Sequence, residues 1–283
     1  MPVLQLLSDL HLERYSRRGQ EKFFQRLDPE GVDVLILAGD IGPHQDSQGD
    51  MSLREILGQF CARYPQVVYV LGNHEYYYSS PEAVHGEMFD ICVENKNLTW
   101  LDNSSAEVAG LKFIGGTLWF PKPAPITLVV GQQHLNDYDL IQDFEPWVYE
   151  QNWLCQELLK DQMSSADVVV THHMPSASFT SPRFRREVHM SHFFYTELVT
   201  HIEEHQPPLW VFGHTHDRMW TYIRETTAVC NPLGYPNEPQ KIRGRYVQKL
   251  LLDVGEPFYQ SHDDTVRDTK RRSVVSKSQT PGK

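Results

Sequence analysis

The chain has 283 residues and a formal net charge of -11, with 40% hydrophobic and 22% charged side chains. That length can bury a sizeable core, as one large domain or two small ones, and the composition is that of an ordinary soluble globular protein. No apolar stretch approaches the roughly 20 residues of a membrane span, and an acidic body repels a polyphosphate backbone unless a local basic groove overrides it.

The N-terminal stretch "MPVLQLLSDLHLE" has no basic segment before its apolar run, so it reads as a first strand over residues 2–8 and not as a secretory leader. Further β-rich apolar runs follow at 33–39, 67–72 and 111–116, then at 167–172, 209–214 and 246–254. Between them Leu53, Ile56, Leu57 and Phe60 form one stripe of helical period. Trp153, Leu154 and Leu158 form a second, and His192 to His205 reads the same way. Strands alternating with helices predict an α/β domain, and the later strands, with fewer helices between them, predict a second sheet packed on the first. Cys61, Cys92, Cys155 and Cys230 are scattered without a CxxC pair, which predicts free thiols and a reducing, cytoplasmic setting. Residues 267–283 hold six Lys/Arg against one acid, leaving 20 basic and 36 acidic side chains in residues 1–266. The domain is placed at 1–260, and a basic, Ser-rich tail from 261 to 283 is expected to be disordered.

The chemistry sits just after the strands. The first run is followed by Ser8-Asp9-Leu10-His11, the second by Gly39-Asp40, the third by Gly72-Asn73-His74-Glu75. The run at 167–171 delivers His172-His173, and that at 209–212 delivers Gly213-His214-Thr215-His216. In open α/β folds the carboxyl ends of strands border the ligand crevice, so five strands place Asp, Asn or His in one place. Residues i and i+2 of an extended segment share a face, which would let Asp9 with His11, and His214 with His216, converge. Carboxylate, imidazole and amide donors without thiolate suit Mn, Fe or Zn. Seven candidates, Asp9, His11, Asp40, Asn73, His214, His216 and one of His172 and His173, are too many for one ion with an open position. They fit two divalent ions sharing a carboxylate, with Asp40 as the natural bridge, and such a pair can activate a shared hydroxide against a phosphate ester.

D-x-H, G-D, G-N-H-[DE], a later His after a strand and G-H-x-H, in that order, resemble the calcineurin-like metallophosphoesterase superfamily. The resemblance spans residues 9 to 216 and implies an α/β fold of two mixed β-sheets packed as a sandwich flanked by helices. It implies one metal at Asp9, His11, Asp40 and His216, and a second at Asp40, Asn73, His172 and His214, with His173 behind. It also makes His74 the catalytic imidazole that binds the phosphate or protonates the leaving group. Mn is the expected metal, with Fe, Zn and Ni as alternatives. The phosphoprotein-phosphatase branch reads G-D-x-x-D-R-G, whereas "GDIGPHQ" has Pro43 and His44 in place of the second Asp and the Arg. The segments "GGTLWF", "NDYDLI" and "CNPLGYPNE" instead resemble a bacterial and phage branch, in which the positions of Trp119, Asp137, Tyr138, Asn231 and Tyr235 wall the substrate pocket. Trp119 also suits an ordinary core position. The expected substrate is a small, nucleotide-like phosphomonoester or phosphodiester. A nuclease of the same fold is the alternative, followed by a protein phosphatase or an inactive scaffold. No membrane partner is expected, nucleic acid is not favoured, and the oligomeric state is open.

Overall fold

The computed structural model describes residues 1–44, 50–181, 184, 186–238, 246, 249–252 and 254. Strands in chain order are β1 (Leu4–Leu7), β2 (Val34–Ala38), β3 (Gln66–Val70), β4 (Leu98–Trp100), β5 (Ser104–Val108) and β6 (Leu111–Gly116). They continue as β7 (Val168–Thr171), β8 (Leu209–Phe212), β9 (Met219–Ile223), β10 (Thr226–Cys230) and β11 (Leu251–Leu252). The helices are α1 (Arg17–Arg26), α2 (Leu53–Cys61), α3 (Pro81–Glu94), α4 (Pro125–His134), α5 (Asn136–Leu140), α6 (Phe144–Gln162), α7 (Val188–Ser191) and α8 (Val199–His205).

Two mixed sheets make the sandwich, with orders β11-β1-β2-β3-β4 and β5-β6-β7-β8-β10-β9. Strands β1 to β4 run parallel, as do β6, β7, β8 and β10, while β11, β5 and β9 pair antiparallel at the edges. The parallel strands read as continuous apolar runs because both faces of each sheet are covered. Leu4, Leu6, Ile36, Val68 and Val70 meet Phe113, Val168, Val170 and Val211 between the sheets. On the other face Leu37, Val67 and Tyr69 pack with Ile56, Leu57 and Phe60 of α2 and Met88 of α3. Behind the second sheet Val169, Trp210 and Phe212 pack with Cys155, Leu159 and Ile202.

The α2 stripe buries as its spacing predicts, and a Ser52–Glu55 capping box starts the helix. The α6 stripe does not. Trp153 and Leu154 are 57% and 39% exposed, and the buried face is Phe144, Val148, Asn152, Cys155 and Leu159. Asn152 takes a core position because its amide donates to the Leu118 carbonyl and to Thr196 Oγ1, and a polar residue in the buried stripe hides that face from hydrophobic periodicity. The expected helix over 192–205 is broken. A 3-10 turn at His192–Phe194 gives way to extended Tyr195, drawn into a bridge with Met174, and α8 begins only at Val199. Of the strand expected at 246–254, Leu251–Leu252 pairs with β1; residues 247, 248 and 253 and the whole 261–283 tail lie outside the described residues. The hairpins β5–β6 and β9–β10 were not foreseen. At the first, Ala109 and Gly110 both take positive φ, the twist a two-residue hairpin loop requires.

Register aligns the strand ends. Leu7, Leu37 and Tyr69 lie side by side across β1, β2 and β3, and Val170 lies beside Val211 across β7 and β8. The loops leaving these five carboxyl ends therefore open on one edge of the sandwich.

Candidate metal centre

At that edge the backbone does not stay extended. Asp9, His11, Asp40, His214 and His216 take φ of 47°, 46°, 54°, 66° and 50°, all left-handed. Asp9 with His11, and His214 with His216, do converge, but through tight left-handed turns and not through the alternation of a strand. Backbone bonds from the Asp9 and His11 amides to the Gly39 and Asp40 carbonyls hold two of these turns together. Glycine gives the room. A Cβ on Gly72 would sit 2.2 Å from Asp40 Oδ1, and one on Gly39, itself at φ +82°, would sit 2.3 Å from His172 Nδ1.

Asp9, His11, Asp40 and His216 bring one donor atom each within 4.8 Å of one another. His11 Nδ1 lies 3.0 Å from Glu13 Oε1, and His216 Nδ1 lies 3.1 Å from Glu238 Oε1. A carboxylate only accepts, so both Nδ1 atoms carry the hydrogen and, in the neutral rings, both Nε2 atoms present lone pairs. Those two Nε2 atoms are 2.9 Å apart. Two lone pairs at that separation repel unless a cation lies between them.

The second group repeats the pattern when its ring is neutral. His172 Nδ1 donates to the Ala38 carbonyl at 2.9 Å, so in the neutral ring Nε2 is an acceptor facing Asn73 Oδ1 at 3.2 Å. The Asn73 amide nitrogen is spent on Asp137 Oδ1 at 2.9 Å and on the Tyr77 hydroxyl, which turns Oδ1 into the site. His214 Nδ1 lies 3.2 Å from the same His172 Nε2. Asp40 Oδ2 stands between the groups, 3.7 Å from His11 Nε2 and 3.5 Å from His172 Nε2; its Oδ1 accepts the His74 amide. Asp9 Oδ2 and His214 Nε2 are buried without a hydrogen-bond partner. Acceptors facing acceptors, with buried donor atoms left over, fit divalent cations.

Electrostatics divides the donors. Burial alone would raise the Asp40 carboxyl, but His172, His74 and His11 outweigh it and hold it well below the usual range. Burial and then the neighbouring imidazoles push His173 and His214 well below their ordinary value, the neutral form that a metal needs. His172 and His74 go the other way: burial disfavours their cations, yet Asp40 raises each to about 9, with Glu13 adding to the effect on His74. Glu13 is held at about 2, because hydrogen bonds from His11 and His74 overcome its burial.

His74 lies beside the donor groups. Its Nδ1 is 3.1 Å from Glu13 Oε1 and its Nε2 is 3.0 Å from the Tyr235 hydroxyl. Tyr235 also forms part of an open pocket of about 410 Å³ with Arg14, Asn136, Pro236 and Asn237. Of the expected pocket walls, Tyr235 alone lines it. Asp137 is fully buried behind Asn73, where burial raises its carboxyl. Trp119 is 1% exposed and packs on Tyr76, Phe144, Trp147 and His173, the core position it also suited. Tyr138 bonds to the Tyr149 hydroxyl beside Phe144 and Phe193, and buried Asn231 donates to the Leu6 carbonyl. His173 stacks on His214 with ring centres 4.1 Å apart, and its Nδ1 faces the Thr117 carbonyl.

Three carboxylates escaped the sequence reading as functional residues. Glu13 and Glu238 back His11 and His216, and both lie inside motif-bearing stretches, "SDLHLE" and "CNPLGYPNE". Glu75 accepts the backbone amides of Asp40, Ile41, Gly42 and Gly72, tying two of the loops together. Glu75 also fills the last position of the G-N-H-[DE] pattern; for Glu13 and Glu238 the only sequence signal is closeness to a candidate donor.

The sequence model of the calcineurin-like phosphoesterase family matches residues 2–218. An uncharacterized protein, L509, of Acanthamoeba polyphaga mimivirus is 26% identical over 286 residues, covering 90% of this chain and 98% of that protein. Among solved structures, the phosphopantetheinyl hydrolase PptH from Mycobacterium tuberculosis superposes with a TM-score of 0.67 at 19% identity, over 92% of this chain and 98% of that one. The protein TT1561 of Thermus thermophilus gives 0.51 at 13% identity, over 82% and 89%. At these identities the two structures attest the fold.

Proposed function

The chain belongs to the calcineurin-like phosphoesterase family, and from that premise we propose that it is a two-metal phosphoesterase acting on a phosphomonoester or small, nucleotide-like phosphodiester. The observation that carries this reading is the contact of two lone-pair nitrogens, His11 Nε2 and His216 Nε2 at 2.9 Å, with Asp40 Oδ2 between them and the His172–Asn73 pair. Asp9, His11, Asp40 and His216 would hold one ion, and Asp40, Asn73, His172 and His214 the other. Mn is expected, with Fe, Zn and Ni as alternatives, because Mg disfavours imidazole. Two such ions would supply Lewis acidity toward a phosphate ester and would lower the pKa of water held there.

The protein does the rest. The Glu13 and Glu238 carboxylates fix which nitrogen of His11 and His216 enters the centre. His74 Nε2, now facing the Tyr235 hydroxyl, is the group that gives a proton to the leaving oxygen or holds the phosphoryl charge. The pocket beyond Tyr235 takes the organic part of the ester, with Arg14 as its cation. A nuclease is disfavoured by the charge of the body, -16 over residues 1–266 (20 basic and 36 acidic).

The test is a substrate panel after stripping and reloading the metals: p-nitrophenyl phosphate, its bis-ester, cyclic nucleotides, a phosphopeptide and single-stranded nucleic acid, each with Mn, Zn, Ni and Mg. Turnover of small esters with Mn above Mg, and two tightly bound ions per chain, is expected. Full activity with a single bound ion would remove the dinuclear reading. Turnover confined to polynucleotides and falling steeply with salt would replace it with the nuclease.

A further inference from the structure

One carboxylate oxygen serves two imidazoles. Glu13 Oε1 lies 3.0 Å from His11 Nδ1 and 3.1 Å from His74 Nδ1. The two rings meet edge to face with centres 4.4 Å apart. Among the described residues, Glu13 is the only carboxylate within hydrogen-bond reach of the His74 ring. His44, in the loop after Asp40, pairs with Glu87.

We propose that Glu13 is a positioning residue for His74, locking its Nδ1–H inward so that Nε2 faces the leaving group, and that it ties this alignment to His11. The reading rests on the proposed phosphoesterase function. An ionised carboxylate has no hydrogen to give, so both Nδ1 atoms must donate to it, and neither ring can flip without losing that bond. His11 then keeps Nε2 toward the centre, and His74 keeps Nε2 toward Tyr235, whose hydroxyl the leaving oxygen can displace. Glu13 sits in the short turn Leu12–Arg14 directly after His11, with its side chain only 16% exposed and Oε2 buried without a partner. A shift of the His11 loop is therefore carried to His74 through a single atom. No substrate contact is required of Glu13 itself.

The experiment compares wild type, Glu13→Ala, Glu13→Gln, His74→Ala and the Glu13→Ala/His74→Ala double variant, all saturated with Mn. The substrates are an alkyl phosphate with a poor leaving group and p-nitrophenyl phosphate. Glu13→Ala should lower kcat on the alkyl ester by about 10–100-fold, the usual cost of removing an outer carboxylate partner, and lower it less on the p-nitrophenyl ester. Glu13→Gln, which keeps an acceptor oxygen, should lose less, and it carries the comparison if the alanine variant misfolds. The double variant should be no slower than His74→Ala, because Glu13 acts through that ring. Equal losses on both esters, a further loss in the double variant, or recovery of wild-type rate with more Mn would overturn the proposal. A second readout is independent of turnover. In zinc-loaded protein, nitrogen-resolved spectra should show a hydrogen-bonded His74 Nδ1–H that disappears in Glu13→Ala; its persistence there would refute the positioning role. If wild type hydrolyses no ester, the proposed function fails, and these spectra still decide the role of Glu13.

Discussion

On the side of His11 and His216 the imidazoles lean on carboxylates, Glu13 and Glu238, whose side chains are 16% and 13% exposed. On the side of His172 the ring leans on a backbone carbonyl, Ala38, and His214 stacks on His173 with Phe194 tilted against it, His172 and His173 being fully buried. The first half is held by groups that carry charge. The second is held by the sheet itself. A charged partner raises the basicity of the ring it holds and can be removed by one substitution. A strand carbonyl cannot be mutated away, and its position is fixed by β2 pairing with β1 and β3. The two proposed ions should therefore differ in how strongly single side chains control them.

Asp40→Ala should break the comparison outright, because its Oδ2 is common to both halves. Both ions and all activity should go together, well beyond the roughly 10–100-fold that loss of an outer partner costs; metal analysis finding one ion still bound would show that the halves are independent. Glu238→Gln should sharpen it. Only the ion held by His216 should weaken, by about 10–100-fold in a metal titration, and equal weakening of both sites would erase the distinction between the halves. The smallest and most graded effect is that of pH. His172 holds its proton to about 9, against an ordinary 6.5, and must lose it to bind a cation. Binding in the deep half should therefore tighten as pH rises from about 6.5 to about 9, by up to about tenfold per unit, and then level off. Burial first, and then His74, lowers His11, so His11 should add little to the pH dependence over that window. Without metal the sign reverses: the folded state binds the His172 proton more tightly than the unfolded chain. That stabilisation is complete below about 6.5 and is lost as the pH rises through about 9. Thermal melts of stripped protein across this range check it.

The five strand ends and their Asp, Asn and His residues were legible because a covered parallel sheet needs continuous apolar runs, and a polar residue just after such a run stands out. The two-layer arrangement followed from the same runs. The face of α6 was not legible, because Asn152 satisfies its amide inside the core and so breaks the hydrophobic period. The stretch 192–205 misled for a related reason: the Met174–Tyr195 bridge overrides a helical pattern that local spacing alone suggests. At the site, the converging residues were visible but the cause of their convergence was not, since left-handed φ at Asp9, His11, His214 and His216 leaves no trace in an ordinary residue type. Glu13 and Glu238 were hidden by chemistry: an acid in a polar loop looks the same whether it faces water or an imidazole.

Those left-handed turns also decide what can be transplanted. Non-glycine residues in that conformation cost on the order of 1–3 kcal/mol each and persist only where their surroundings impose them, and here the surroundings are neighbouring strand ends and glycines such as Gly39 and Gly72. A loop such as Ser8–Glu13 grafted onto another scaffold, with every donor type copied, would relax toward ordinary backbone and aim its side chains elsewhere. The information that makes this centre is thus spread over two sheets, and the smallest portable unit is the sandwich edge as a whole.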